Sequence, residues 1–297
     1  MELTKKKEDM SNLKNNVLLV PTDFTEAADC AINHAIGLAK AGNFDLKLVH
    51  IINDETKKSL KKEKHDETFI NQKLNKISSE ILDKEGVKTH YLSREGSIFR
   101  IIGQISEEDE IRYMFMGTHG VVGIQKIVGA FAIKVVSSVV IPTIITQKKD
   151  MRANGYKKIV LPIDATIENK QKLTYAVDLA KIFNSEIHLL LDTSTVPDNL
   201  NDLKFNKEYS EKLLQQKGVK YTVGETLPGE IDFGKQVLNY ASKIDADIII
   251  IMTKQRGGLK DIFVGPFEEF IINNPDQIPV MCVNPSNKNV TYEYLGK

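Results

Sequence analysis

The sequence predicts an α/β protein made of two tandem copies of one domain, each a five-stranded parallel sheet flanked by helices. Short apolar runs alternate with stretches of helical periodicity, as expected for parallel strands buried on both faces. The alternation is traversed twice. The chain also matches itself: residues 17–23 read VLLVPTD against KIVLPID at 158–164, and 34–40 read HAIGLAK against YAVDLAK at 175–181, both 141 apart. GVK at 86–88 and 218–220, and IPTII at 141–145 against IPVMC at 278–282, continue the match at offsets of 132 and 137. Insertions and deletions in loops produce such drift. A period this long signals domain duplication and not a solenoid.

In copy one, 16–21 is a continuously apolar strand, and Thr25 can cap a helix over 26–41 whose alanines, Ile32 and Leu38 recur at helical spacing. Residues 45–52 read as strand two. A charged stretch, 53–67, leads into a helix over 66–84. Strand three at 87–93, a helix at 97–108, strand four at 112–117, a helix at 123–137 and strand five at 139–146 complete the copy. Copy two repeats the order: strands at 158–163, 186–192, 219–225, 247–253 and 279–283, with helices at 168–183, 199–217, 230–243 and 260–273 between them. The domains then span 15–147 and 157–287. A polar linker at 148–156 carries an Asn-Gly turn signal, and charged, aperiodic tails lie at 1–14 and 288–297.

Composition narrows the class. Forty basic and forty acidic side chains give no formal net charge, which argues against nucleic-acid binding by phosphate neutralisation. Cys30 and Cys282 are too few for a disulfide framework or a four-sulfur zinc site and read as buried thiols of a reducing compartment. No run reaches the roughly 18 apolar residues of a membrane span, and the N-terminal residues lack the apolar stretch of a secretory signal. A cytoplasmic protein without membrane association is expected. The lysine-rich run at 57–64 reads as a solvated face.

In a parallel sheet, ligands bind beyond the carboxyl ends of the strands where strand order reverses. The candidate residues therefore sit there. Between strand four and its helix, Gly117, Gly120 and Gly123 can present backbone N–H groups to an anion, or can simply make a tight turn. Asp23 can accept hydrogen bonds from a ribose hydroxyl, or can serve the start of the helix that follows. The six histidines are scattered, and no metal-ligand spacing appears; His50 reads as structural and His119 as a solvent-facing loop residue. There is no P-loop, no G-x-G-x-x-G and no G-x-S-x-G elbow.

The string LLVPTDFTEAADCAINHA at 18–35, the strand LVHII at 48–52 and the GTHG loop at 117–120 resemble the universal stress protein family, over about residues 15–285. The resemblance implies a flavodoxin-like, adenine-nucleotide-binding type of sheet, and pairing of the two copies as a pseudo-dimer through their last strands. Some members bind ATP, through a motif of Gly, two residues, Gly, nine residues, Gly and then Ser or Thr. By resemblance the cofactor-binding residues are Pro21, Asp23, Ile51, Gly117, Gly120, Gly129 and Ala130. Asp23 would hold the ribose, Ile51 would bound the adenine, and the glycines would meet phosphates. Copy one is one residue short between Gly120 and Gly129 and has Ala130 where the hydroxyl should be. Copy two has Met252 and Gln255 in place of the first two glycines, keeps Gly265, and has Pro266, which has no N–H. The expectation is therefore ATP, ADP or AMP in domain 1 and no nucleotide in domain 2.

Without a nucleophile–base pair, the leading reading is a non-enzymatic stress-response binding or regulatory protein with no catalytic and no metal residues. Two others stand beside it: an adaptor that binds no nucleotide and works through an unknown protein partner, and a slow ATPase. A homodimer of the whole chain stays open.

Overall fold

The computed structural model describes residues 16–108, 110–118, 128–166, 169–193, 200–226, 232–255 and 262–285. Domain 1 runs β1 (Val17–Pro21), α1 (Glu26–Gly42), β2 (Asp45–Ile52), α2 (Asp54–Glu63), α3 (Glu67–Glu85), β3 (Thr89–Glu95), α4 (Ile98–Ser106), β4 (Ile111–Gly117), α5 (Val128–Ser138) and β5 (Thr143–Thr146). Domain 2 runs β6 (Lys158–Ile163), α6 (Asn169–Phe183), β7 (Glu186–Leu191), α7 (Leu200–Lys217), β8 (Lys220–Gly224), α8 (Phe233–Lys243), β9 (Ile248–Met252), β10 (Lys254–Gln255), β11 (Ile262–Phe263), α9 (Pro266–Ile272) and β12 (Val280–Val283).

Pleating explains why the strands read as unbroken apolar runs. Along β1, Leu18 and Val20 face one core layer while Val17 and Leu19 face the other. Each domain is parallel and doubly wound, in the order β3-β2-β1-β4-β5 and, mirrored, β12-β9-β6-β7-β8. The two are one ten-stranded sheet, because β5 and β12 pair antiparallel with Val280 opposite Ile145 and Cys282 opposite Thr143. The pseudo-dimer expected from the last strands is thus present as a continuous sheet. An apolar edge that would invite aggregation is covered by its own copy.

Side chains lock this seam. Gln147, just after β5, donates to the carbonyls of Ile272 and Asn274 at the end of α9, both at 3.2 Å. Its counterpart Asn284, just after β12, donates to the carbonyls of Val136 and Val139 at the end of α5, at 2.6 and 2.8 Å. Each domain therefore satisfies orphan carbonyls of the other's last helix. On the opposite face Arg112 of β4 pairs with Asp178 of α6, where burial raises the carboxyl even with the guanidinium against it. The segment after β5 is packed and not a loose tether: Met151 lies against Gly37, and Tyr156 is fully buried. His34 of α1 donates from Nε2 to the Lys149 carbonyl, so its Nδ1 accepts the Tyr156 hydroxyl proton, both at 2.8 Å.

Three sequence expectations need correction. The charged stretch after β2 is a helix of its own, α2: Asn53 caps it, accepting from Thr56 N at 2.9 Å, and Asp54, Glu55, Lys61 and Lys62 suit its dipole. Only Leu60 of α2 is buried, so no apolar stripe betrayed it. Residues 139–142 lie outside β5, because Pro142 cannot donate to a ladder. Of the helix expected at 123–137, the described part is α5, and 119–127 fall outside the described residues. In copy two the helix expected at 260–273 shrinks to α9, preceded by a two-stranded ribbon of β10 and β11.

Candidate functional site

In domain 1 strand order reverses between β1 and β4, and the carboxyl ends of these strands part around a cavity of about 370 Å³. Its floor and walls include Pro21, Thr22 and Asp23 after β1, His50, Ile51 and Asn53 at the end of β2, and Met116, Gly117 and Thr118 at the end of β4. Ile98 and Ile102 of α4 and Ala132 of α5 close one side.

Asp23 is exposed, and its Oδ1 accepts from Thr25 N at 3.1 Å and Thr25 Oγ1 at 2.6 Å. Thr25 in turn caps α1, accepting from Ala28 N at 3.4 Å. The carboxylate thus steadies the helix start through Thr25 while lining the cavity. Gly117 is required by packing: a Cβ there would stand 1.9 Å from the Ala27 carbonyl oxygen. Only glycine lets the first turn of α1 lie on the end of β4.

His50 is buried beneath Asp23, stacked on Phe24 at 4.7 Å, and its Nδ1–H donates to the Thr22 carbonyl at 2.8 Å. Burial lowers its pKa, partly opposed by that carbonyl and by Asp23, so the ring is a neutral wall of the cavity. Its structural reading agrees with these contacts. Both cysteines are buried, and burial raises the Cys30 thiol to about 11, so neither is a reactive thiolate.

The structure therefore gathers Pro21, Asp23, Ile51 and Gly117 around one cavity. Gly120 and His119 lie outside the described residues. Gly129 and Ala130 fall at the described start of α5. The sequence reading placed Thr118 and Asn53 among the strand-end residues of interest without giving either a role, and it missed Glu55 and Thr56. The last three depend on α2, whose Asn-Asp-Glu-Thr start was the available signal. Thr118 is buried with no hydrogen-bond partner for its hydroxyl among the described residues, whereas Thr253, after the matching strand of domain 2, donates to Asn284 Oδ1 at 2.6 Å.

In domain 2, Asp164 repeats the turn of Asp23, its Oδ1 accepting from Thr166 N at 2.8 Å and Thr166 Oγ1 at 2.6 Å. Asn206 reinforces that turn, donating to the carbonyls of Asp164 and Thr166 at 2.9 and 2.8 Å. Met252 is packed into the core, and Pro266 opens α9. Among the described residues no group of three or more His, Cys, Asp or Glu could hold a metal, and no helix is long and apolar enough to cross a membrane.

Doubly wound sheets joined edge to edge, with a crevice at the strand ends, define a tandem doubly wound α/β protein. Comparison with known proteins narrows this class. The model of the universal stress protein family matches residues 14–147 and again 155–284, and the chain belongs to that family. A universal stress protein of Methanocaldococcus jannaschii is 26% identical over 148 residues, spanning 46% of this chain and 86% of the relative. Universal stress protein A of Escherichia coli K12 is 26% identical over 107 residues, 32% of this chain and 74% of its own. The crystal structure of a universal stress protein from Archaeoglobus fulgidus shares the fold across both domains: TM-score 0.71, 20% identity, 92% of this chain and 97% of that one. A functionally unknown protein from Pseudomonas aeruginosa shares it at a TM-score of 0.62 and 16% identity, over 94% and 95%.

Proposed function

We propose that domain 1 binds one adenine nucleotide at the β1/β4 crevice, and that the chain is a non-enzymatic, stress-linked binding or regulatory protein. The cavity of about 370 Å³ at the switch point carries this reading, since it falls in the usual range for small-molecule sites, roughly 300–1,000 Å³. Its walls supply what such a ligand needs. Pro21 and Ile51 offer an apolar edge to the base, and Asp23 offers a carboxylate to the ribose. Gly117, Gly120 and Gly129 supply N–H groups for phosphate. Thr118 adds to the cavity wall a hydroxyl without a partner among the described residues, but it does not stand in for the one missing at Ala130.

The phosphate end is the weak one, so AMP and ADP are expected to bind within about tenfold of ATP, one lost charged hydrogen bond being worth about 1.5–3 kcal/mol. Mass spectrometry of the supernatant from denatured protein tests whether nucleotide co-purifies. Calorimetric titration with AMP, ADP and ATP then ranks them. Absence of bound nucleotide together with no heat from any of the three would overturn the proposal.

A further inference from the structure

Domain 2 treats the equivalent crevice differently. Lys172 on α6 is the counterpart of Ala31 on α1, 141 residues apart, and Glu268 on α9 is the counterpart of Ala132 on α5, 136 apart, the offset that also relates Gly265 to Gly129. The burial patterns agree at these offsets: Val135 and Val136 are covered as Ile271 and Ile272 are, and Leu38 and Ala39 as Leu179 and Ala180 are. Two buried alanines of domain 1 have thus become a buried cation and a buried anion, each 2% exposed.

Their placement is specific. Ala132 lines the domain 1 cavity, so Glu268 stands where the cavity wall would be. A helical side chain leans toward the helix N-terminus, which carries Lys172 from the position of Ala31 toward that of Ala28, another wall residue. There the ammonium feels both Asp164, at the end of β6, and Glu268. Burial pushes its pKa down to about 8 against the pull of these two carboxylates, which leaves it charged at neutral pH. Glu268 is held in turn: its Oε2 accepts from Gly265 N at 2.8 Å, and Lys254 approaches its Oε1 to 3.9 Å from the surface.

We infer that the buried side chains of Lys172 and Glu268 fill the β6/β9 crevice from within, their opposite charges acting on one another across a gap longer than an ion pair, so that domain 2 is a closed counterpart of the open domain 1. A buried charge is tolerated when its partner is present and strongly unfavourable when the partner is removed. Lys172 and Glu268 make no direct ion pair, so the compensation in this crevice acts through space and is shared with Asp164. The inference concerns the crevice of domain 2 and holds whichever ligand domain 1 takes.

Thermal unfolding of the full chain in a double-mutant cycle tests the coupling, with Lys172→Met, Glu268→Gln and both together. Each single change should lower the Tm by about 5–10 °C, and the double variant should return to within about 3 °C of the parent. Losses that simply add in the double variant would overturn the coupling. A crystal structure of the Lys172→Ala, Glu268→Ala protein tests the filling, since it restores the small residues of domain 1. A solvent-filled cavity beside Asp164 is expected, and an unaltered, fully packed crevice would overturn it. Neither readout involves nucleotide, so these outcomes are independent of the domain 1 proposal.

Discussion

Thr118 and Gly117 are adjacent and matter for opposite reasons, one for a group it leaves unpaired and the other for an atom it lacks. Replacing Thr118 by valine keeps the shape and removes the hydroxyl. If that hydroxyl meets a ligand, calorimetry should show binding weakened by about 1–3 kcal/mol while the Tm holds or rises, because a buried unpaired oxygen has been deleted. Gly117→Ala should do the reverse. A methyl group forced against the Ala27 carbonyl must push α1 off β4, and overpacking of this kind costs about 1–3 kcal/mol, read as a lower urea midpoint. Asp23→Ala should weaken nucleotide binding by about 1–3 kcal/mol through the lost ribose contact. Asp164→Ala should leave binding unchanged and lower stability instead, since it strips one of the carboxylates near Lys172. Asp23, Ile51 and Gly117 were legible in the sequence because strand ends can be located from apolar runs. Thr118 was located in the same way, but its unpaired hydroxyl was not legible, because that is a property of its surroundings. Lys172 was hidden for a related reason: it occupies a core-facing position of α6 that helical periodicity reserves for an apolar residue.

Regular elements were the easiest to read, since strands buried on both faces and amphipathic helices leave a periodic trace. The sheet came through nearly whole for that reason. Elements held by caps and not by apolar contact were lost: α2 rests on Asn53, its end charges and little but Leu60. The β10–β11 ribbon was lost too, its strands being only two residues each. The reciprocal capping of α5 and α9 was equally unreadable, since it needs the fold before Gln147 and Asn284 can meet their carbonyls. It yields an expectation at this scale. Asn284→Ala leaves the Val136 and Val139 carbonyls without their donor and frees Thr253 of its acceptor. A loss of about 2–4 kcal/mol in urea unfolding is expected, larger than for Gln147→Ala, whose contacts are longer at 3.2 Å.

At the scale of the molecule, three buried histidines set a pH dependence. His34, His50 and His188 each have a pKa lowered from 6.5, burial being the largest cause. The unfolded chain therefore takes up protons first as the pH falls. This part of the stability is complete above about pH 6.5 and is lost progressively below it. Asp178, raised by burial, works in the opposite sense at lower pH. Urea midpoints should fall between pH 7.5 and 5.5, and a His50→Gln variant should fall less. The joined sheet also predicts one cooperative calorimetric transition for both domains, because neither can open without exposing the seam. The antiparallel meeting of β5 and β12 has a geometric consequence as well. The strands of the two domains run in opposite directions, so their carboxyl ends emerge at opposite poles of the protein. On the assignments proposed above, the receptive pole belongs to domain 1 and the sealed one to domain 2, at opposite ends of the strands. With one pole occupied and the other filled, the tandem would have a polarity that two identical subunits around a true twofold axis cannot have, and a partner sensing occupancy would meet it end-on, once per chain.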